Sequence, residues 1–512
     1  MSCLAQRTVR PAVGGLLWLL MSVGLAAPGA AQSADPAAQS AAYLLGQCVQ
    51  ASADGKHDRL LRALRHLRDP ALEPLFSRLA QSPQPSLKAH GIMGLAELHP
   101  QRQIDLKRLA EVDDPTLQAT LISAAMDEDL LGDEAADQLL NWPGLDLGAK
   151  LLVAIRQLGE GKFSDAALLR EALQSDREAR RGLAAVMLLE LGDPAGPAEL
   201  QKLDQSQDPQ RDVVRAMLLE TAMRHQLRRA ATWAYAIAGE PGTDERLRLL
   251  ALRVALRLGE SGAGRLWREQ FDAAREPADR IRLALVALQL SPWLDPALFE
   301  PLTASDDPLM KSIGQAGRAV AAGDSSAAQW VVELVQRMHP LVNAWALRYA
   351  RQQAKPLEAQ LILLSLIDLA SRAPQQGLAQ HLEHAMEASW VLDEQDPAVA
   401  ANLLGPILAD PNTPRLLVQS ILVGLLQVPP GQPQPVIDAL PTTLPDLESR
   451  HLALLLRAKH GQSLSPQQVE ELGLLVRGGG RLEDTLRIQA AWAWLKHTGQ
   501  AQAALARLLE SH

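Results

Sequence analysis

Aromatic residues are scarce in this chain. Trp, Tyr and Phe together make up 3% of its 512 residues, and Cys3 and Cys48 are its only thiols. So few cysteines exclude a disulfide-rich scaffold and any zinc site built from four thiolates. Basic charge is also short, with 50 Lys plus Arg against 59 Asp plus Glu and a formal net charge of −9. That balance argues against a general nucleic-acid binder, whose affinity comes largely from neutralised phosphates. Long apolar runs are missing beyond the first thirty residues, so the mature chain is expected to have no membrane-spanning segment. What is present is ordinary for a folded protein. The hydrophobic fraction is 47%, too high for wholesale disorder. The length suits two to four domains or one extended repeat array.

Residues 1–31 read as a secretory signal peptide. Arg7 and Arg10 give a positive start, Val13 to Leu25 is apolar, and Gly29-Ala30-Ala31 offers small residues for cleavage after Ala31. The apolar run is too short to span a bilayer, which takes about 20 residues. Cleavage leaves 48 basic and 59 acidic side chains, a net charge of −11, and one thiol, Cys48. Its apolar surroundings (AAYLLGQCVQA) predict a buried, unpaired cysteine. These features place the protein in a periplasm.

Residues 32–42 read as a polar linker, and 32–56 as that linker plus a first helix. From His57 onward, apolar residues recur at i, i+3, i+4 and i+7 in segments punctuated by Pro, Gly and Asp. Ala and Leu dominate, so helices are expected and strands are not. Five segments share one plan of helix, short turn and helix: 91–111, 182–203, 251–272, 316–336 and 491–511. A basic or amide residue near the start of each first helix can be followed through Lys88, Gln118, Lys150, Arg181, Arg215, Arg248, Arg282, Lys311 and Asn343. Arg415, Arg450 and Arg487 continue the series. A steady interval of about 32 residues is the mark of a solenoid. Each helical pair has an apolar face that only its neighbour can cover. Beyond Asp35, Asp-Pro pairs at Asp69, Asp114, Asp193, Asp208, Asp295, Asp307, Asp396 and Asp410 predict helix starts. Asp caps free N–H groups, and Pro suits the first helical position.

The strings Asp307-Pro308-Leu309-Met310-Lys311 and Asp114-Pro115-Thr116-Leu117-Gln118 resemble the start of HEAT-type, armadillo-like repeats. Asp244 to Arg248 and Asp176 to Arg180 share the spacing. The resemblance implies an inter-repeat hydrogen-bond ladder through these side chains. It covers 57–355 well and 356–512 loosely, where the Pro-rich stretch VPPGQPQPVIDALPTTLPD interrupts the phasing. The expected fold is all-α, an α-solenoid of roughly 12–14 antiparallel hairpins forming a curved superhelix. Tetratricopeptide repeats compete, but their strict 34-residue step is not held.

No motif commits the chain to catalysis, and no catalytic, cofactor-binding or metal-ligating residue is assigned. His381, His384 and Glu387 share a helical stripe that could hold a metal ion, yet a fourth ligand is lacking and a solvated helix face is expected. The run from Asp127 to Asp137 fails as a calcium loop, because Leu131 stands at a ligand position. Gly478-Gly479-Gly480 could cradle an anion but lacks a preceding strand and a following Lys-Ser/Thr. Gly259-Glu260-Ser261-Gly262 lacks the spacing of a nucleophile elbow. Trp267 and Trp330 stand 19 residues after Arg248 and Lys311, where other repeats have Leu169 and Leu200, so both read as core contacts.

Charge is uneven along the chain. From Arg224 to Arg282 there are 12 Arg and 8 acidic residues; from 352 to 449 there are 3 basic and 11 acidic ones. A long surface polarised in this way suits a protein partner or a polyanion. The leading expectation is a non-enzymatic periplasmic scaffold that binds a partner protein in the cell envelope. The alternatives are a metal-dependent enzyme around His381, His384 and Glu387, and a binder of anionic cell-wall polymer through Arg224, Arg228 and Arg229.

Overall fold

A computed structural model describes residues 35–50, 52, 54–99, 101–373, 377–428, 435–441, 444, 446–478 and 483–510. The expected signal peptide therefore lies outside the described residues. Among those described there are 29 α-helices and no strand. The first part of the chain forms α1 (Pro36–Val49), α2 (Lys56–Arg65), α3 (Glu73–Ala80), α4 (Pro85–Leu98), α5 (Leu106–Ala110), α6 (Pro115–Asp127), α7 (Asp133–Leu140), α8 (Leu147–Gly159), α9 (Ala166–Ala172) and α10 (Glu178–Leu191). The middle forms α11 (Ala195–Gln205), α12 (Arg211–Arg224), α13 (Ala230–Gly239), α14 (Glu245–Leu258), α15 (Ala263–Ala273), α16 (Pro277–Leu290), α17 (Glu300–Thr303), α18 (Pro308–Ala321), α19 (Ala327–Val335) and α20 (Pro340–Gln352). The last part forms α21 (Pro356–Arg372), α22 (Leu378–Gln395), α23 (Pro397–Ala409), α24 (Arg415–Leu425), α25 (Pro435–Asp438), α26 (Leu447–Lys459), α27 (Pro466–Val476), α28 (Asp484–His497) and α29 (Ala501–Glu510).

The local chemistry of the sequence sets most helix starts. Asp114, Asp307 and Asp396 accept hydrogen bonds from the first free N–H groups of α6, α18 and α23, each with Pro at the first position. Asp69 and Asp295 do the same for 3₁₀ turns that run into α3 and α17. Asp193 accepts from Ala195 at the start of α11. Asp208 and Asp410 depart from expectation. They cap turns, accepting from Gln210 and Asn412, and the helices begin later at Arg211 and Arg415. After Asp410 the reason is Pro414, which keeps Thr413 out of the helical region. The polar stretch 32–42 is also not all linker, since Asp35 caps α1 from Pro36.

The recurring basic or amide residue finds a common place. Lys88, Gln118, Lys150, Arg181, Arg248, Lys311, Asn343, Arg450 and Arg487 are each the fourth residue of their helix, in α4, α6, α8, α10, α14, α18, α20, α26 and α28, whereas Arg215, Arg282 and Arg415 depart, as the fifth residue of α12, the sixth of α16 and the first of α24. These helices form one layer. Contacts run from α2 through α4, α6, α8, α10, α12 and α14 to α16, which touches both α18 and α20; they continue through α22, α24 and α26 to α28. Side-chain bonds fix the direction. Arg180 near the start of α10 donates to Asp146, the cap of α8, at 2.8 Å, and Arg282 of α16 pairs with Glu245, the first residue of α14. At the opposite ends, Arg65 of α2 pairs with Glu97 of α4 at 2.6 Å and with Glu128, beyond α6, at 2.7 Å. Like ends meet like ends, so these helices stand parallel. The intervening helices pack back against them, as α3 on α4 and α13 on α14. Mid-helix glycines permit the closest approaches. A Cβ at Gly91 of α4 would collide with the backbone of Leu79 and Ala80 at the end of α3.

The series of contacts closes. α28 packs on α2, and α1 packs on α27, α28 and α29. Lys56 and Asp484, the first residues of α2 and α28, form an ion pair at 3.0 Å. The two ends thus meet in the same parallel register as successive helices elsewhere. One apolar core cluster includes both Ala37 of α1 and Leu508 of α29. No helix of the described residues is long and apolar enough to cross a membrane.

Candidate functional site where the two ends meet

The junction is built around Asp69, in the turn after α2. Its carboxylate accepts from the Trp492 indole N–H at 2.8 Å and from the Lys496 ammonium at 2.8 Å, both on α28, and from the Ala71 backbone N–H at 3.0 Å. Burial works to raise the Asp69 carboxyl; the bonds from Lys496, Trp492 and Ala71 outweigh it and hold it below the ordinary value. Beside it, a cavity of about 420 Å³ opens between the turn after α2, the end of α26 and α28. Leu67, Pro70, Ala458 and Ala493 supply apolar wall; Arg68, Lys459, Gln489 and Trp492 supply most of the chemistry.

Lys459 is the last residue of α26. Its amine donates to the carbonyls of Leu426 and Val428, the latter at 2.9 Å. Burial first, and then the charge of Arg68, pushes it down to about 7. Arg68 has φ +47°, a left-handed backbone that costs a non-glycine residue about 1 kcal/mol or more. Most parallel helices end on such a residue, which is Gly161, Gly192, Gly259, Gly323, Gly461 or Gly499 after six of them and Arg102, Asp129 or Gln226 after α4, α6 and α12. Gly461 follows α26 and faces Arg68 across the same cavity. Among the described residues the Arg68 guanidinium makes no hydrogen bond or ion pair. Burial and the nearby Arg102 lower its pKa, against the pull of Glu97, Glu128 and Glu394. Gln489 is 9% exposed, and its side-chain oxygen has no partner. Next to Lys459, both ring nitrogens of His460 are buried without partners, and burial, then Lys459, holds this imidazole down to about 4.

The residues singled out in the sequence fall elsewhere. His381 is buried rather than solvated; Nδ1 lies 3.3 Å from the Asn343 amide nitrogen, joining α22 to α20. His384 Nδ1 is buried without a partner. Burial lowers the pKa of both. A helix face with histidines i and i+3 points partly inward here because α22 is packed on both sides, by α21 and α24. No group of three or more His, Cys, Asp or Glu among the described residues is placed to hold a metal ion. Cys48 is buried; its Sγ donates to the Leu44 carbonyl at 3.4 Å, and burial pushes the thiol far above its ordinary value. Trp267 is fully buried, stacked on Phe271 at 5.1 Å, with its N–H on the Leu283 carbonyl. Trp330 packs partly buried on the same core, and Leu169 and Leu200 are buried.

Asp127 to Asp137 spans the end of α6, the turn 128–132 and the first residues of α7, and Gly259 to Gly262 forms the turn from α14 into α15. Of the triple glycine only Gly478 is described. Arg224, Arg228 and Arg229 are exposed, and Arg224 lies 3.7 Å from Asp127. Within Arg224–Arg282, Arg257 lies over Trp293, Arg265 pairs with Glu269 and Arg282 with Glu245 and Asp279, so part of that charge is spent internally.

A second surface feature lies at the starts of the parallel helices. Leu341, Leu416 and Leu447 are 55%, 45% and 52% exposed, each within the first two residues of α20, α24 and α26. Arg415 of α24 pairs with Glu448 of α26 beside them, which places these two starts side by side. No family model, curated protein or solved structure matches the chain.

Nothing in the sequence pointed to Arg68, Lys459, Gln489 or Trp492. Asp69 was visible only as a cap.

Proposed function

We propose that the chain is a HEAT-type helical-repeat protein, an α-solenoid wound into a superhelix until its first and last hairpins meet. It is exported to the periplasm after removal of residues 1–31 and works there as a non-enzymatic scaffold that holds a partner protein in the cell envelope. The fourth-residue position of the recurring basic or amide side chain supports the repeat reading. So do bonds between side chains about one repeat apart, Arg65 to Glu97 and Arg180 to Asp146. The ladder runs between successive helices, from Arg180 to the cap of α8 rather than to Asp176.

The observation that carries the scaffold reading is the exposure of Leu341, Leu416 and Leu447 along one edge of the parallel layer. Exposed large apolar side chains at like positions of the parallel helices suit protein–protein contact. A photo-reactive amino acid placed at each of the three in living cells should give an adduct of one defined mass. The same residue at Arg265, 74% exposed and away from this edge, should give none. Equal labelling at Arg265, or no adduct at any of the three, would refute the scaffold reading. Export is tested separately: the mature N-terminus should read Gln32.

A further inference from the structure

We propose that the cavity between the turn after α2, the end of α26 and α28 binds a small organic anion, its anionic head between Arg68 and Lys459 and its apolar body against Trp492. This goes beyond the scaffold role and involves a different surface.

Charge sets the sign of the ligand. Asp69 is the one carboxylate of the lining, and it is already engaged by Lys496, Trp492 and the Ala71 N–H. Arg68 and Lys459 then leave the cavity positive. The two present complementary donors. The planar guanidinium of Arg68 offers paired N–H groups to a carboxylate or phosphate. Lys459 is held in place by the carbonyls of Leu426 and Val428, which take two of its N–H bonds and leave the third for the ligand.

Two features of the lining offer free polar groups. Arg68, part-exposed, stands in a left-handed turn position shared by Arg102, Asp129 and Gln226 after α4, α6 and α12, and its guanidinium finds no partner among the described residues. Gln489, nine-tenths buried, lines the cavity, and its buried side-chain oxygen receives no hydrogen bond. Buried polar atoms are nearly always partnered. A ligand with an O–H or N–H next to its anionic head would meet Gln489 and Arg68 together, as a 2-hydroxy or 2-amino acid does. The apolar wall, Leu67, Pro70, Ala458, Ala493 and the face of Trp492, suits a hydrocarbon or aromatic body. Such a ligand touches the first and last parts of the chain at once, so its binding stabilises their union by mass action.

The test uses the full mature chain, with thermal unfolding and titration calorimetry. The probes are 3-phenyllactate, hexanoate, inorganic phosphate and the neutral amide of 3-phenyllactate. At least one anion should bind and raise the unfolding temperature, and the neutral amide should not. 3-Phenyllactate binding more tightly than hexanoate would support the Gln489 contact. Response to phosphate alone would keep the anion site and assign its head as phosphate. Arg68→Gly should keep or raise the unfolding temperature without ligand, because the backbone strain is relieved, and weaken binding at least tenfold. Lys459→Met should weaken binding similarly. No response to any anion, equal response to the amide, or undiminished binding in Arg68→Gly would overturn the proposal.

Discussion

The contact between α14 and α16 and the contact between α2 and α28 are built on one plan and finished differently. In the middle of the molecule a cavity of about 460 Å³ also lies between α14, α15 and α16, but the tryptophan beside it is satisfied locally. Trp267 is fully buried, stacked on Phe271, and its single polar atom is satisfied by the Leu283 carbonyl. At the junction another tryptophan, Trp492, is just as buried, yet its N–H reaches a carboxylate 423 residues away. The difference follows from connectivity. Neighbouring pairs are joined by short loops, so apolar packing and single pairs such as Arg282–Glu245 are enough to hold them. The two ends are joined only through the whole chain and pay a larger closure entropy. Directional bonds, Lys56 to Asp484 and Asp69 to Lys496 and Trp492, choose their register.

Replacing the two tryptophans is the strongest way to break this comparison. Trp267→Ala removes a fully buried side chain and should lower stability by about 3–5 kcal/mol in urea unfolding. Trp492→Phe keeps most of the bulk and removes one bond to Asp69. It should cost about 1–2 kcal/mol. In hydrogen exchange it should speed α1, α2, α28 and α29 while sparing α12 to α16. Equal acceleration in both regions would erase the distinction between them.

Gly91→Ala tests a contact between neighbouring helices. The added methyl collides with the α3 backbone, and a loss of about 1–3 kcal/mol is expected. Acid should act across the molecule. Burial, reinforced by neighbouring cations, holds His90, His225 and His460 down to about 4. Their folded pKa values lie below the unfolded value, so the stability they confer is present above about 6.5 and is lost as pH falls from there toward 4. The unfolding temperature should therefore drop between pH 7 and pH 5. A flat profile would show that these imidazoles are hydrated. The smallest effect belongs to an exposed pair. Arg282→Ala should change stability by no more than about 0.5 kcal/mol.

Much of the architecture was legible in the sequence because its determinants are local. Helix caps at Asp114 and Asp307, apolar periodicity and the recurring residue from Lys88 to Arg487 each depend on neighbours within a few residues. The core role of Trp267 followed from its offset within the repeat. The junction was not legible. Its partners are hundreds of residues apart, and Asp69 carries the same Asp-Pro signature whether or not an indole and an ammonium reach it. His381 misled for a related reason. Its side chain faces Asn343 on a helix that sequence spacing alone does not bring near.

The meeting of the two ends is the claim on which the rest stands, and a distance measurement tests it most directly. Arg59 and Glu483, both exposed, lie close to the Lys56–Asp484 pair. Cysteines placed there can carry spin labels, while the buried Cys48 stays unreacted. Pulsed electron–electron resonance should show a single narrow distance at the short end of the measurable range. A long, broad distribution would mean that the first and last helices stand apart and that the array is open.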